Sequence, residues 1–197
     1  MRTSRQDLRR GLFQLAVMQG GYFTAAQARE IGYSYQAQHY HAQQGNWVRV
    51  DRGLYRLFAW PVGAHDELVR WTLWAGGRAV VSHESALDVH GIGEFNPARV
   101  HLTAPRAFSK RAVGAVIHTA DLDRADIENR EGFRVTRPVR SLVDVAAAGA
   151  DSDQLGRAIE EAQDIGLLTP RRLRERAEAV DLKAALRIEQ ALGRLGL

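Results

Sequence analysis

The sequence predicts an α+β protein in two parts. A small helical module closed by a hairpin occupies residues 1–60, and a mixed α+β domain ending in helices occupies 64–197. Three observations predict this. Three short helical stretches and the run "WVRVDRGLYRL" fit within the first 58 residues. "AWPVG" at 59–63 then interrupts, because Pro61 prevents the strand before it from continuing. Beyond it, short strand-like stretches give way at Pro138 to four helical ones.

Each element has its own signal. In "SRQDLRRGLFQLAVMQ" (4–19), Leu8, Leu12, Leu15 and Val17 fall close to helical spacing, and "GG" at 20–21 ends the helix. In "TAAQAREIG", Thr24 and Gln27 make a capping-box pair and Gly32 closes the turn. Ser34 caps a third helix that runs to about Gln44 before Gly45. Trp47–Val50 and Leu54–Phe58 alternate like strands, with Asp51-Arg52-Gly53 as a three-residue loop whose glycine supplies a positive φ. The second part reads as a helix over 64–75 and a short strand over 79–81. A helix from Ser82 through His90 follows, then strands at 99–104, 113–119, 126–129 and 132–136. Helices are expected at 138–148, 152–165, 170–179 and 182–194, with Thr169-Pro170 as a strong start for the third.

Composition narrows the function classes. The chain has 197 residues, 45% of them hydrophobic and 25% charged, enough to bury a core. It has no cysteine, which excludes disulfides and Cys-ligated zinc. No apolar run of membrane-spanning length and no leader-like apolar segment is present, so a cytoplasmic location without membrane contact is expected. The net charge of +4 is uneven. Residues 1–60 carry eight arginines against three acids, a net of +5, whereas 61–150 are neutral and 151–197 are at −1. A polyanionic partner would meet the first module.

The order helix, short helix, helix, hairpin is that of a winged helix-turn-helix, in which the third element lies in a DNA major groove and the wing grips the backbone. Residues 34–44 have the side chains for such a helix, since glutamine pairs with adenine, histidine donates to guanine, and tyrosine meets thymine methyls. Helical periodicity turns Ala37, His41 and Gln44 inward. It leaves Tyr35, Gln36, His39 and Gln43 outward, with Tyr40 at the margin. The DNA-binding set is therefore Tyr35, Gln36, His39, Tyr40 and Gln43 on the helix, with Arg49 and Arg52, joined by Arg56, from the hairpin. The partner is a double-stranded operator, and a homodimer on an inverted repeat fits this architecture.

"GGYFTAAQAREIGYS" with "GNWVRVDRGLYRL" resembles the N-terminal winged helix of AbiEi-type antitoxins of type IV toxin–antitoxin systems. "VVSHESALDVHGI", "VHLTAP" and "FRVTRPVRSLVDVAAAG" resemble the antitoxin domain that follows it in that family, so the resemblance spans roughly 6–165. It implies a regulator that represses its own operon and counters a nucleotidyltransferase-type toxin, through direct contact or only genetically. Gln38 and His41 depart from the pattern, since relatives usually carry Leu or Ile at the first position and Leu at the second.

Other motifs carry less. "SHESALDVH" lacks the second histidine of a zincin at position 87, so His83 and His90 are expected to be structural. Asp121, Asp123, Asp126, Glu128 and Glu131 alternate with arginines and are expected to form a solvated face. The last helix, with Leu182, Ala185, Leu186, Leu192 and Leu195, is expected to be core or a dimer seam. The expected protein is no enzyme and uses neither cofactor nor metal. Two alternatives remain open at this point: a metal-dependent nuclease or related enzyme working near Glu84, Asp88 and His90, and a module whose winged helix contacts a protein.

Overall fold

The computed structural model describes residues 4–197, and the chain divides into two compact units. The first runs through Gly77 and includes residues 130–133; the second holds 78–129 and 134–197.

In the first unit, α1 (Arg5–Val17) starts at a capping box in which Ser4 and Asp7 satisfy each other's backbone. The strand β1 (Tyr22–Thr24) leads into α2 (Ala25–Ile31), whose own capping box is Thr24 with Gln27. Next come α3 (Tyr35–Gln43), β2 (Trp47–Asp51), β3 (Leu54–Leu57) and α4 (Asp66–Trp74). The three strands form an antiparallel sheet in the order β1-β3-β2. The wing's loop is two residues, Arg52-Gly53, closed by Asp51 opposite Leu54, with a bulge between Arg49 and Asp51. That replaces the expected three-residue loop, although Gly53 does supply the positive φ of 71°. No sequence signal predicts β1.

The unit also extends past residue 60 to include α4. Arg56 on β3 pairs with Asp66 at 2.5 Å at the start of that helix and donates to the Pro61 carbonyl at 2.9 Å. The segment after the hairpin is therefore tied back to it. Leu12, Ala16, Phe23, Ala28, Tyr33 and Trp47 form the core beneath α3.

The second unit has a five-stranded sheet in the order β6-β5-β4-β8-β7, built from β4 (Val80–Val81), β5 (Val100–Ala104), β6 (Ala115–Thr119), β7 (Ile127–Arg130) and β8 (Phe133–Thr136). β5 pairs parallel with β6, and β4 parallel with β8. The helices are α5 (His83–His90), α6 (Pro138–Ala148), α7 (Ser152–Asp164), α8 (Pro170–Val180) and α9 (Leu182–Leu195). In α6 eight consecutive residues from Val139 to Ala146 are buried, which makes it the axis of the helical core. Thr169 caps α8 as expected, accepting from the Arg172 amide at 3.3 Å. The leucines of α9 split: Leu192 is fully buried, while Leu182 and Leu186 face water. No helix among the described residues is long and apolar enough to cross a membrane.

Candidate nucleic-acid interface

The orientation of α3 is set by its two ends. Gly32, at φ 120°, turns the chain out of α2 beside α1. That positive φ favours glycine, and a Cβ there would also come within 2.8 Å of Leu8 Cδ2, which would have to shift. Ser34 then caps α3 by accepting from the Ala37 amide at 3.1 Å. At the far end the His41 ring stacks on Trp47, centroids 4.8 Å apart and planes 18° apart, and Asn46 Nδ2 lies 3.3 Å from His41 Nδ1. Trp47 itself meets Phe23 edge-on at 4.8 Å and Tyr33 at 5.1 Å. Burial lowers the His41 pKa, so the ring packs uncharged at neutral pH.

The inward face differs from the periodicity's expectation. Gln38, only 2% exposed, is the residue at its centre, and Gln44 is exposed. Gln38 Nε2 donates to the carbonyls of Ala25 (3.1 Å) and Tyr33 (3.2 Å), binding α3 to the start of α2 and to the turn between them. The reason is chemical. With no Leu, Ile or Val in α3, no apolar stripe fixes its rotation. A long side chain that satisfies two backbone carbonyls takes the inner position instead.

The outward set survives this rotation. Tyr35, Gln36, His39, Tyr40 and Gln43 are all exposed, Tyr35 by 68% and Tyr40 by 57%. At 100° per residue they span an arc of roughly 140° on one side of the helix. Arg29, in the last turn of α2, lies over the Tyr35 ring at 4.7 Å and adds a cation to the edge of that stripe. In the sequence Arg29 counts only toward the module's charge; its i, i+6 relation to Tyr35 crosses a turn and gives no local signal.

On the wing, Arg49 and Arg52 are exposed and make no ion pair among the described residues. The Arg52 amide donates to Asp51 Oδ1 at 2.5 Å, which fixes the tip. Arg56 does not join them. Beyond its pair with Asp66, its guanidinium lies 5.0 Å from the Tyr22 ring centroid, so its charge is answered inside the unit.

The other candidate residues are placed differently. Glu84, Asp88 and His90 do not converge. His90 Nε2 sits 2.8 Å from the Thr136 carbonyl, Asp88 faces water, and Glu84 is 4.0 Å from His101. Among the described residues no three His, Asp or Glu side chains are grouped to hold one ion. Ser82 stands at the N-cap of α5 without capping it; its hydroxyl accepts from Thr103 Oγ1 at 2.7 Å and lies 2.9 Å from His83 Nδ1. His83 stacks on His118 with centroids 3.5 Å apart, and His118 Nε2 is 3.3 Å from His101 Nδ1. Burial foremost, then the neighbouring imidazoles, pushes His83 down to about 2 and His118 to about 4.

The acidic group at 121–131 is not all a solvated face. Asp126 is 7% exposed, bound to Arg140 at 3.0 Å and to Arg176.

Comparison with known proteins bears mainly on the first unit. Residues 10–57, from within α1 to the end of β3, match the family described as transcriptional regulator, AbiEi antitoxin. Over the whole chain the fold is similar to that of the RV2827C protein from Mycobacterium tuberculosis. The TM-score is 0.63 at 14% identity, covering 98% of this chain and 78% of that one. At such identity the likeness shows the fold alone. No curated protein matches the chain.

Proposed function

We infer that this chain, whose N-terminal winged helix-turn-helix is of the AbiEi antitoxin transcriptional-regulator type, binds a specific operator in double-stranded DNA and represses its own operon. The observation that carries the reading is the exposed stripe of Tyr35, Gln36, His39, Tyr40 and Gln43, flanked by the unpaired Arg49 and Arg52 of the wing. The stripe offers donors and acceptors suited to base edges, with no net charge to favour all sequences equally. The two arginines offer phosphate contacts that set register. The second unit, in this reading, is the antitoxin part that counters a nucleotidyltransferase-type toxin in the cytoplasm, and a dimer on an inverted repeat would double the contact surface. Nothing in the reading requires a catalytic step, a metal or a cofactor.

The test is a shift assay on DNA upstream of the protein's own reading frame, with heparin as competitor. A discrete complex that survives the competitor is expected. Replacing Arg49 and Arg52 with alanine should weaken binding to every sequence and reduce the slope of log K against log salt by about 1.8, two phosphates' worth. Gln36→Ala or His39→Ala should alter which bases are preferred. Absence of any heparin-resistant complex, or an unchanged salt slope in the double arginine variant, would overturn the assignment.

A further inference from the structure

A groove opens on the first unit between α1, the flank of α3 and the base of the wing, with a volume of about 820 Å³. That lies within the range of small-molecule sites, roughly 300–1,000 Å³. Its walls are largely apolar and aromatic. Leu12, Phe13, Tyr33, Trp47, Leu57 and Phe58 contribute, and two of them, Phe13 and Phe58, are 54% and 72% exposed. Arg5 and Arg9, one helical turn apart on α1, also line it, and neither makes an ion pair among the described residues. Among the described residues no Asp or Glu lines the groove. An apolar, aromatic cleft with two uncompensated guanidinium groups and no carboxylate has a positive field inside it and favours an anion with an apolar body.

We propose that this groove binds a small organic acid with a flat aromatic or aliphatic body, its carboxylate held by Arg5 and Arg9. Guanidinium groups match a carboxylate's two oxygens by paired, charge-assisted hydrogen bonds. The body lies against the aromatic walls and covers Phe13 and Phe58, removing apolar surface from water. A nucleic-acid backbone fits the groove poorly, because phosphates and sugars leave those walls unfilled. The proposal goes beyond the DNA-binding reading and stands without it. Its consequence for that reading lies in one residue: Tyr40 lines the groove and also belongs to the outward stripe of α3. A ligand seated here therefore touches the helix proposed to read bases.

The experiment uses the full chain without DNA, so its outcome is separate from that of the shift assay. 1-Naphthoate is titrated as the probe, with 1-naphthamide as its uncharged counterpart, and backbone amide shifts and the Trp47 indole signal are followed by NMR. Saturable shifts confined to α1, to Tyr33–His41, to Trp47 and to Phe58 are expected for the acid. Its dissociation constant should be on the order of 0.1–1 mM for a ligand of this size. The amide should bind at least about tenfold more weakly. Arg5→Gln with Arg9→Gln, both on exposed side chains, should reduce the acid to the amide's affinity and leave the amide unchanged. Equal binding of acid and amide to the unaltered protein would overturn the proposal without any variant. So would shifts elsewhere on the molecule, or no binding. Shifts at the groove that grow with protein concentration alone, accompanied by dimer sedimentation, would assign it to a second copy of the chain and overturn it equally.

Discussion

The outer face of α3 and the buried side of α6 both carry polar groups on a helix, yet they treat them in opposite ways. On α6, Arg140 is 4% and Asp144 6% exposed. Arg140 Nε binds Asp144 at 2.8 Å and its Nη1 binds Asp126 at 3.0 Å, while Arg176 from α8 closes the cluster on Asp126 and Asp123. Each charge there is answered from within the unit, although Asp144 Oδ2 and Arg176 Nε lack a hydrogen bond, and the cluster ties α6 and α8 to the start of β7. On α3 the stripe from Tyr35 to Gln43 is left in water, while the backbone carrying it is held by Gln38, His41 and the Trp47 core. A polar group satisfied internally is part of the architecture. One that is unsatisfied by the protein, but rigidly aimed, is free to recognise something else. That contrast separates the polar groups that build this chain from those proposed to recognise DNA.

The largest effect should come from breaking the internal side. Arg140→Met leaves the Asp144 carboxylate buried without its partner and weakens the hold on Asp126. One oxygen of Asp144 already lacks a hydrogen bond. Removing one partner of a buried charge network costs about 3–5 kcal/mol. Urea unfolding followed by far-UV circular dichroism should show a loss of that order. A loss under about 1 kcal/mol would mean the cluster is open to water, and the contrast would fail.

The same side should respond to pH through groups with opposite signs. His83 and His118 have folded pKa values pushed below the ordinary 6.5, so the unfolded chain binds protons first. Their contribution to stability is complete above pH 6.5 and is lost as the pH falls toward 4 and below. The Asp144 carboxyl is raised from 3.8 to about 6, mainly by burial, with Arg140 opposing. Its contribution is complete below 3.8 and is lost as the pH rises through 6. Urea midpoints at about pH 7, 5.5 and 4.5 should therefore decline with acid. His83→Asn should flatten that decline, and asparagine suits the residue's φ of +55°. Asp144→Asn should steepen it, because the opposing contribution disappears. An unchanged profile in the His83 variant would show that its imidazole is solvated.

Much of this was legible in the sequence, and the exceptions share a cause. The caps at Thr24, Ser34 and Thr169 marked helix starts because a cap is a local bond between neighbours. β1 escaped because three residues after a glycine pair, the last of them the N-cap Thr24, show no periodicity; its strand character comes from pairing with β3, some thirty residues later. Arg56 looks like Arg49 and Arg52 in sequence, and only Asp66 on α4 distinguishes it. Asp126 looks like its acidic neighbours until Arg140 and Arg176 arrive from α6 and α8. The position of Gln38 did leave a trace, because the family resemblance implies an aliphatic residue there, and such a position points inward whatever its occupant. Local chemistry reads from local sequence; the partners of charges do not.

The smallest and sharpest comparison lies within α3 itself, between two glutamines two residues apart. Gln38→Ala removes two hydrogen bonds to backbone carbonyls and leaves a void, and should destabilise the first unit by about 1–3 kcal/mol. Gln36→Ala touches an exposed side chain with no internal partner, and should change stability by no more than about 0.5 kcal/mol. Unfolding of the two variants, read through tryptophan emission, which arises wholly from the first unit, checks the difference. Should Gln36→Ala cost as much as Gln38→Ala, Gln36 would have an internal role and the outward stripe would lose a member. If it leaves stability intact yet changes which operator base is preferred, the side chain's work lies outside the protein.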